Sequence, residues 1–282
     1  MYAATSPSER AAAEPSRVRG LLHVSAGPRG LRGLEQRAPL RALLPRVPPG
    51  EPLTACLTNT AGGLVGGDAL TIAVEAEPGA RLLAMAQAAE KVYRSLGPDV
   101  RMDVTLAAGQ GAWLEWLPQE TILFDRARLR RRTRLDVADG GRALAGEMVV
   151  LGRTAHGETV KTGLLRDAWE VRVGGRLAWM DALHLDGDLR RAVDAPSGFG
   201  GAVAAATAVF VGPDLEELRD GLRGLPVEDG AMRGATVVGG VLVTRWLGHD
   251  AQAMRRDFGR AWGWLRHRAE GLPEKLPRLW HV

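Results

Sequence analysis

Apolar and polar side chains alternate with a period of two through much of the middle of the chain. Leu70-Thr71-Ile72-Ala73-Val74-Glu75 alternates as a half-buried strand does, and Arg81 to Met85 follows after a Pro78-Gly79 turn. The same pattern marks Val100 to Leu106, Ala112 to Leu117, Thr121 to Phe124, Arg128 to Val137 and Arg142 to Leu151 as strands. Trp169 to Val173 and Arg176 to Met180 flank Gly174-Gly175, which reads as a hairpin with a two-residue turn. Thr236 to Val238 and Val241 to Trp246 flank Gly239-Gly240 in the same way. Two helices are expected near the C-terminus. Asp214 to Leu222 places Leu215, Leu218 and Leu222 on one stripe, and Asp250 caps a longer helix running to Ala269 with Gly271 as its stop. Strands this frequent, punctuated by Gly, Pro and Asp, predict a mainly β fold with a few α-helices. No repeat of fixed period is visible and no linker divides the chain. Residues 17–282 therefore read as a single domain, and the Ala-, Ser-, Glu- and Pro-rich residues 1–16 as a disordered tail.

Composition narrows the picture only in places. Thirty-six glycines and 5% aromatic residues suit short strands and many turns better than a helical bundle. Of 37 basic residues only Lys91, Lys161 and Lys275 are lysine, a bias that codon usage explains as well as nucleic-acid binding does, and the net charge is only +4. Cys56 is the single cysteine, so neither an intrachain disulfide nor a multi-thiolate zinc site can form, and it reads as a small buried apolar residue. The first residues lack the apolar run of a signal peptide. The longest apolar stretch, Gly200 to Val211, falls short of the ~20 residues a membrane helix needs. A soluble cytoplasmic protein is the expectation.

The densest local signal is Gly62-Gly63-Leu64-Val65-Gly66-Gly67-Asp68. A phosphate cradle, a strand connection and a docking surface are its three general readings. A P-loop requires Gly-Lys-Ser/Thr where this chain has Gly67-Asp68-Ala69, and a dinucleotide fold requires a helix where Leu70 to Glu75 alternates as a strand. The connection or docking reading is left. Arg128, Arg130, Arg132 and Arg134 line one face of a strand with Arg131 on the other. No aromatic residue interleaves to stack on bases, so a solvated or acid-facing strand is favoured, with charge that also protects an exposed edge, and a protein partner comes second. The histidines (His23, His156, His184, His249, His267 and His281) are scattered, with no nucleophile elbow and no His-Glu-x-x-His, so no catalytic residue is assigned. Acids stand out instead: Glu115 lies between Trp113 and Trp116, and Glu147 lies in the apolar run Ala143 to Leu151. Buried carboxylates must be paired or metal-bound, and arginines are the simplest partners; a polar path for a cation is the functional reading.

Several segments together resemble one family. Thr58 to Asp68 is similar to the glycine motif of the urease accessory protein D family (UreD, also called UreH), with Gly62, Gly63, Gly66 and Gly67 as its core. Gln87 to Ser95, which contains Glu90, Lys91, Tyr93 and Arg94, looks like its next block. Leu114 to Phe124, with Glu115, Trp116, Pro118, Gln119 and Glu120, resembles its most distinctive block. Leu151 to Glu158 and Leu276 to Trp280 follow in the family's order, and the likeness runs from about Arg17 to the end. The chain departs from many members in carrying Asn59-Thr60-Ala61 where they carry His-Pro-Pro, which removes an imidazole. The resemblance implies a β-rich superhelical stack of strands enclosing a water-filled passage. It implies a non-catalytic chaperone that binds apo-urease, recruits accessory proteins F and G, and assists nickel delivery to the dinuclear centre, with GTP hydrolysis in the G partner. No cofactor is expected to bind stably; Ni2+ would pass through, and a dimer within the accessory complex is allowed. Neither nucleic acid nor membrane is an expected partner. Asp68, Glu147, Glu158 and Asp181 are the candidate acids along the nickel path.

Overall fold

The computed structural model describes residues 17–153 and 157–281; the expected tail and His156 lie outside them. The fold is a β-solenoid-like stack of about four turns. A hairpin of β1 (Arg19–Gly27) and β2 (Gly30–Arg37) and the short β3 (Leu40–Leu43) close one end. The turns then alternate between two sheets. The first is β4 (Leu53–Asn59) followed by β5 (Ala69–Ala76). The second is β6 (Arg81–Ala86), β7 (Glu90–Val92) and β8 (Val100–Ala108). The third is β9 (Trp113–Leu117), β10 (Thr121–Leu123) and β11 (Arg128–Val137), and the fourth β12 (Arg142–Leu151) and β13 (Thr162–Val173). Each strand pairs in parallel with its counterpart one turn away. Leu53, Leu82, Leu114 and Ala143 form one ladder, and Ala69, Arg101, Arg130 and Arg166 the other. The number of residues between rungs differs from turn to turn, which is why a stacked architecture leaves no fixed period in the sequence.

Beyond the turns, β14 (Arg176–Asp188) returns antiparallel on β13 through the expected Gly174-Gly175 hairpin. A short helix α1 (Leu189–Asp194) leads to β15 (Ala204–Val211), which lies antiparallel on β12. Then follow α2 (Leu215–Gly224), the hairpin of β16 (Ala231–Val238) and β17 (Val241–Gly248), and α3 (Ala251–Glu270). One sheet runs β14-β13-β11-β8-β5-β1-β2; the other runs β16-β17-β15-β12-β9-β6-β4-β3, with β10 and β7 extending from β12. The arginine-rich β11 thus lies between β8 and β13 rather than at an edge, so edge protection is not what its charges do.

Period-two alternation builds two apolar layers. Leu114 and Trp116 of β9 and Ala143, Ala145 and Val149 of β12 face the other sheet, while Trp113, Leu117, Leu144 and Met148 face the helices. Helix α3 is set by its ends: Asp250 accepts from the Gln252 and Ala253 N–H groups, and Gly271 stops it at φ 66°. It seats closely on β12, where a Cβ on Gly146 would come within 2.9 Å of the Phe258 and Trp262 rings. Glu115 ties the layers together. Its carboxylate accepts from Trp113 Nε1 and Trp262 Nε1 at 2.9 Å and from Arg266, whose guanidinium also reaches Glu51 at 2.8 Å. Arginine thus satisfies this fully buried acid, the simpler of the two readings its sequence position allowed.

Candidate functional site

Buried charge between the sheets gathers around β11, β12 and β13. On β11, Arg131 is the one arginine whose parity turns it inward, and on β12 the same holds for Glu147 among alanines and valines. The parallel register puts Asp167 of β13 beside Arg131. Arg131 donates from Nε to Asp167 Oδ1 at 3.0 Å, from Nη2 to Asp167 Oδ2 at 2.6 Å and from Nη1 to Thr121 Oγ1 at 3.0 Å. Glu147 Oε1 accepts from Thr133 Oγ1 at 2.8 Å and Trp116 Nε1 at 3.2 Å. Its Oε2 lies 2.5 Å from Arg131 Nε, an ion contact, but the N–H points to Asp167, so this oxygen receives no aligned hydrogen bond. Two acids thus share one guanidinium. Burial, together with the Asp167 charge, outweighs Arg131 and pushes the Glu147 carboxyl up to about 7.

A cavity of about 50 Å³ opens beside this cluster, enough for a small number of waters. Its polar lining includes Thr58, Asn59, Gln87, Glu90, Gln119, Thr121, Arg131 and Glu147, and Leu57, Leu70, Ile72 and Met102 contribute apolar wall. Glu90 has no arginine. Asn59 Nδ2 donates to both its oxygens at 3.0 Å, and burial still dominates, pushing this carboxyl up to about 7 as well. Asn59 occupies the position where the resemblance leads one to expect histidine. Two carboxyls poised near neutrality on one cavity can exchange a proton for a cation; fully ionised carboxylates clamped by arginine cannot do so as readily.

The other sequence-predicted acids lie apart from it. Asp68 is buried at the end of the glycine stretch, where its oxygens accept from the Val18 and Val65 N–H groups, each at 2.9 Å. Glu158 pairs with Arg153 at 2.8 Å, and Asp181 on β14 pairs with Arg245 of β17 at 2.6 Å. Among the described residues no three His, Cys, Asp or Glu side chains converge to hold a metal ion. Of the four candidate acids, Glu147 lines the interior cavity and the others do not.

The remaining motif residues build the walls. The amides of Gly62, Leu64, Gly67 and Asp68 donate to the carbonyls of Asn59, Lys91, Asp99 and Val65, so the glycine stretch is a strand connection whose donors are spent within it and on the adjoining segments. Gly63, at φ 147°, lies against the Tyr93 ring, whose hydroxyl donates to the Gly62 carbonyl; a Cβ there would sit 2.4 Å from the ring. Tyr93 meets Phe124 edge-on at 4.9 Å. Glu120 pairs with Arg255 of α3 at 2.5 Å, while Lys91 and Arg94 are exposed. Cys56 is buried, as expected, and burial raises its thiol. Arg131, Asp167, Thr133 and Asn59 were not foreseen as site residues. The signal that could have found the first was its parity, opposite to that of every neighbouring arginine.

Residues 17–281 match the family described as UreD urease accessory protein. The chain is 46% identical over 291 residues to the urease accessory protein UreD of Magnetococcus marinus, covering 99% of each chain. It is 43% identical to that of a Methylobacterium species, covering 92% of this chain and 91% of the relative. The corresponding protein of Azorhizobium caulinodans is 40% identical, with 94% and 95% covered.

Proposed function

This chain belongs to the urease accessory protein UreD family, and from that membership we propose that it is a non-catalytic factor in the maturation of nickel urease. In this reading it binds apo-urease, recruits accessory proteins F and G, and assists the passage of nickel to the dinuclear centre. The observation that carries the reading is the family match across residues 17–281. The interior cavity supports the nickel part of it. A divalent cation entering there displaces a proton from Glu90 or Glu147, whose raised affinity for protons keeps the empty cavity close to neutral. Carboxylate and amide oxygens offered singly hold nickel weakly enough to release it. Asp167 and Arg131 set the charge around Glu147, and Asn59 orients Glu90. Asp68, Glu158 and Asp181 remain candidate contacts at other stages of transfer, each released from its present partner as a cation arrives.

A nucleotide-binding enzyme built on the glycine stretch is disfavoured, because the amides that would cradle phosphate are bonded within the stretch and to its neighbours. The test of the proposal is coexpression of urease with its accessory proteins, with and without this chain. Without it, urease should emerge inactive and poor in nickel; fully active, nickel-replete urease would overturn the assignment. Pull-down with apo-urease and accessory protein F checks the partners separately.

A further inference from the structure

The outer face of the first sheet carries a row of cations that the proposed maturation role does not use. One register line crosses β1, β5, β8, β11, β13 and β14 at Arg19, Ala69, Arg101, Arg130, Arg166 and His184. All but Ala69 are exposed. Arg130 is held by Asp99 at 2.6 Å, which also binds Arg128. Arg101 and Arg166, on either side of it, have no side-chain hydrogen bond or ion pair among the described residues. Two surface troughs, of about 780 and 550 Å³, meet at Arg101 and Asp103. Along the side of the row nearest β14, Ala168, Ala182 and Met180 provide an apolar margin, and Met180 is 68% exposed. Two guanidiniums fixed in register, unpaired and facing water are an unfilled half of an ion-pair set.

We propose that this row docks an acidic amphipathic helix of a protein partner, with carboxylates on Arg101, Arg130 and Arg166 and apolar side chains on the Ala182–Met180 margin. Spacing selects the helix. Adjacent strands place successive arginines about 4.8 Å apart. Carboxylates three or four residues apart on a helix rise about 4.5 to 6 Å, whereas alternate residues of an extended peptide lie about 6.8 Å apart. Charge pattern selects protein over nucleic acid. Asp99 and Glu170 break the row into separate cationic points instead of a continuous basic track for a phosphate backbone, and among the described residues no Trp, Tyr or Phe of this face is exposed for a base to stack on.

The test uses the purified full chain and a synthetic alanine-based helical peptide carrying Glu at i, i+4 and i+7 with leucines beside that stripe. Its Gln counterpart, a single-stranded RNA and a DNA duplex are the comparison probes. Fluorescence anisotropy should show the Glu peptide binding in a salt-weakened manner, and the Gln peptide binding at least about tenfold more weakly. R101E/R166E should weaken the Glu peptide by at least about tenfold, because like charges then oppose each other. R29E/R46E, which changes the net charge equally at exposed sites off the row, should leave it within about twofold. No binding of the Glu peptide, an equal loss in the R29E/R46E control, or tighter binding of either nucleic acid through Arg101 and Arg166 would each overturn the proposal. Because the assay contains neither urease nor nickel, its failure leaves the maturation role standing, and failure of that role leaves this result standing.

Discussion

Replacing Glu90 with Gln should stabilise the protein at high pH and leave it unchanged at low pH. Glu90 is a half-buried acid whose ordinary value is near 4.5 and whose folded value is about 7. The folded chain therefore holds this proton more tightly than the unfolded chain does. The resulting stability is fully present below about pH 4.5 and is lost as pH rises through about 7. At about 1.4 kcal/mol per tenfold change in proton affinity, ionised Glu90 costs the folded state about 3 kcal/mol at pH 8. Gln keeps the shape and one acceptor for Asn59 but cannot ionise, so it escapes that cost. Glu147 titrates in both proteins, and its contribution cancels in the comparison. Urea unfolding monitored by tryptophan fluorescence should give equal midpoints at pH 4.5 and a midpoint about 1 M higher for Glu90→Gln at pH 8, with the slope unchanged. A difference between the two proteins that stays constant from pH 4.5 to pH 8 would refute the reasoning, because burial would then not be suppressing ionisation.

Three further outcomes test the frame around the site. Arg266→Met strands Glu115 in the layer beneath α3 and should lower stability by about 3–5 kcal/mol in urea melts, part of which Glu115→Leu restores; an unchanged midpoint contradicts the pairing. Gly66→Ala puts a Cβ 2.1 Å from Ser95 Oγ and 2.5 Å from the Pro98 carbonyl, and should cost about 1–3 kcal/mol by the same assay. Asp68→Ala removes the acceptor of the Val18 and Val65 amides, so hydrogen exchange should quicken at those two positions, with about 1–3 kcal/mol lost; protection equal to wild type would show that other groups hold the loop.

Local signals announced the elements whose structure is decided locally. The Gly174-Gly175 and Gly239-Gly240 hairpins and the Asp250-to-Gly271 limits of α3 stand where the sequence puts them. Strand β2, GLRGLEQR, is mostly exposed and has no alternation to read, so its position comes from pairing with β1. Helix α1 is only six residues long and is capped by Asp188 inside a loop-rich segment. The stacking of turns is a parallel pairing between segments dozens of residues apart and leaves no local mark. The site was legible in the same uneven way. Glu147 shows itself as an acid in an apolar run, but Asp167 reaches it only through the register of β13 on β11. Glu90 looked like one motif residue among several. What sets it apart, partial burial with an asparagine in place of an arginine, is a property of the folded chain.

The proposed nickel role of the interior cavity is tested most directly by the nickel content of urease purified after coexpression with either the wild-type chain or Glu90→Gln/Glu147→Gln, with retention of apo-urease and accessory protein F measured in parallel. The account predicts that the double variant retains both partners as the wild type does while urease emerges with much less nickel. Full nickel loading by the double variant would contradict it, and so would a loss of nickel that merely follows loss of the complex.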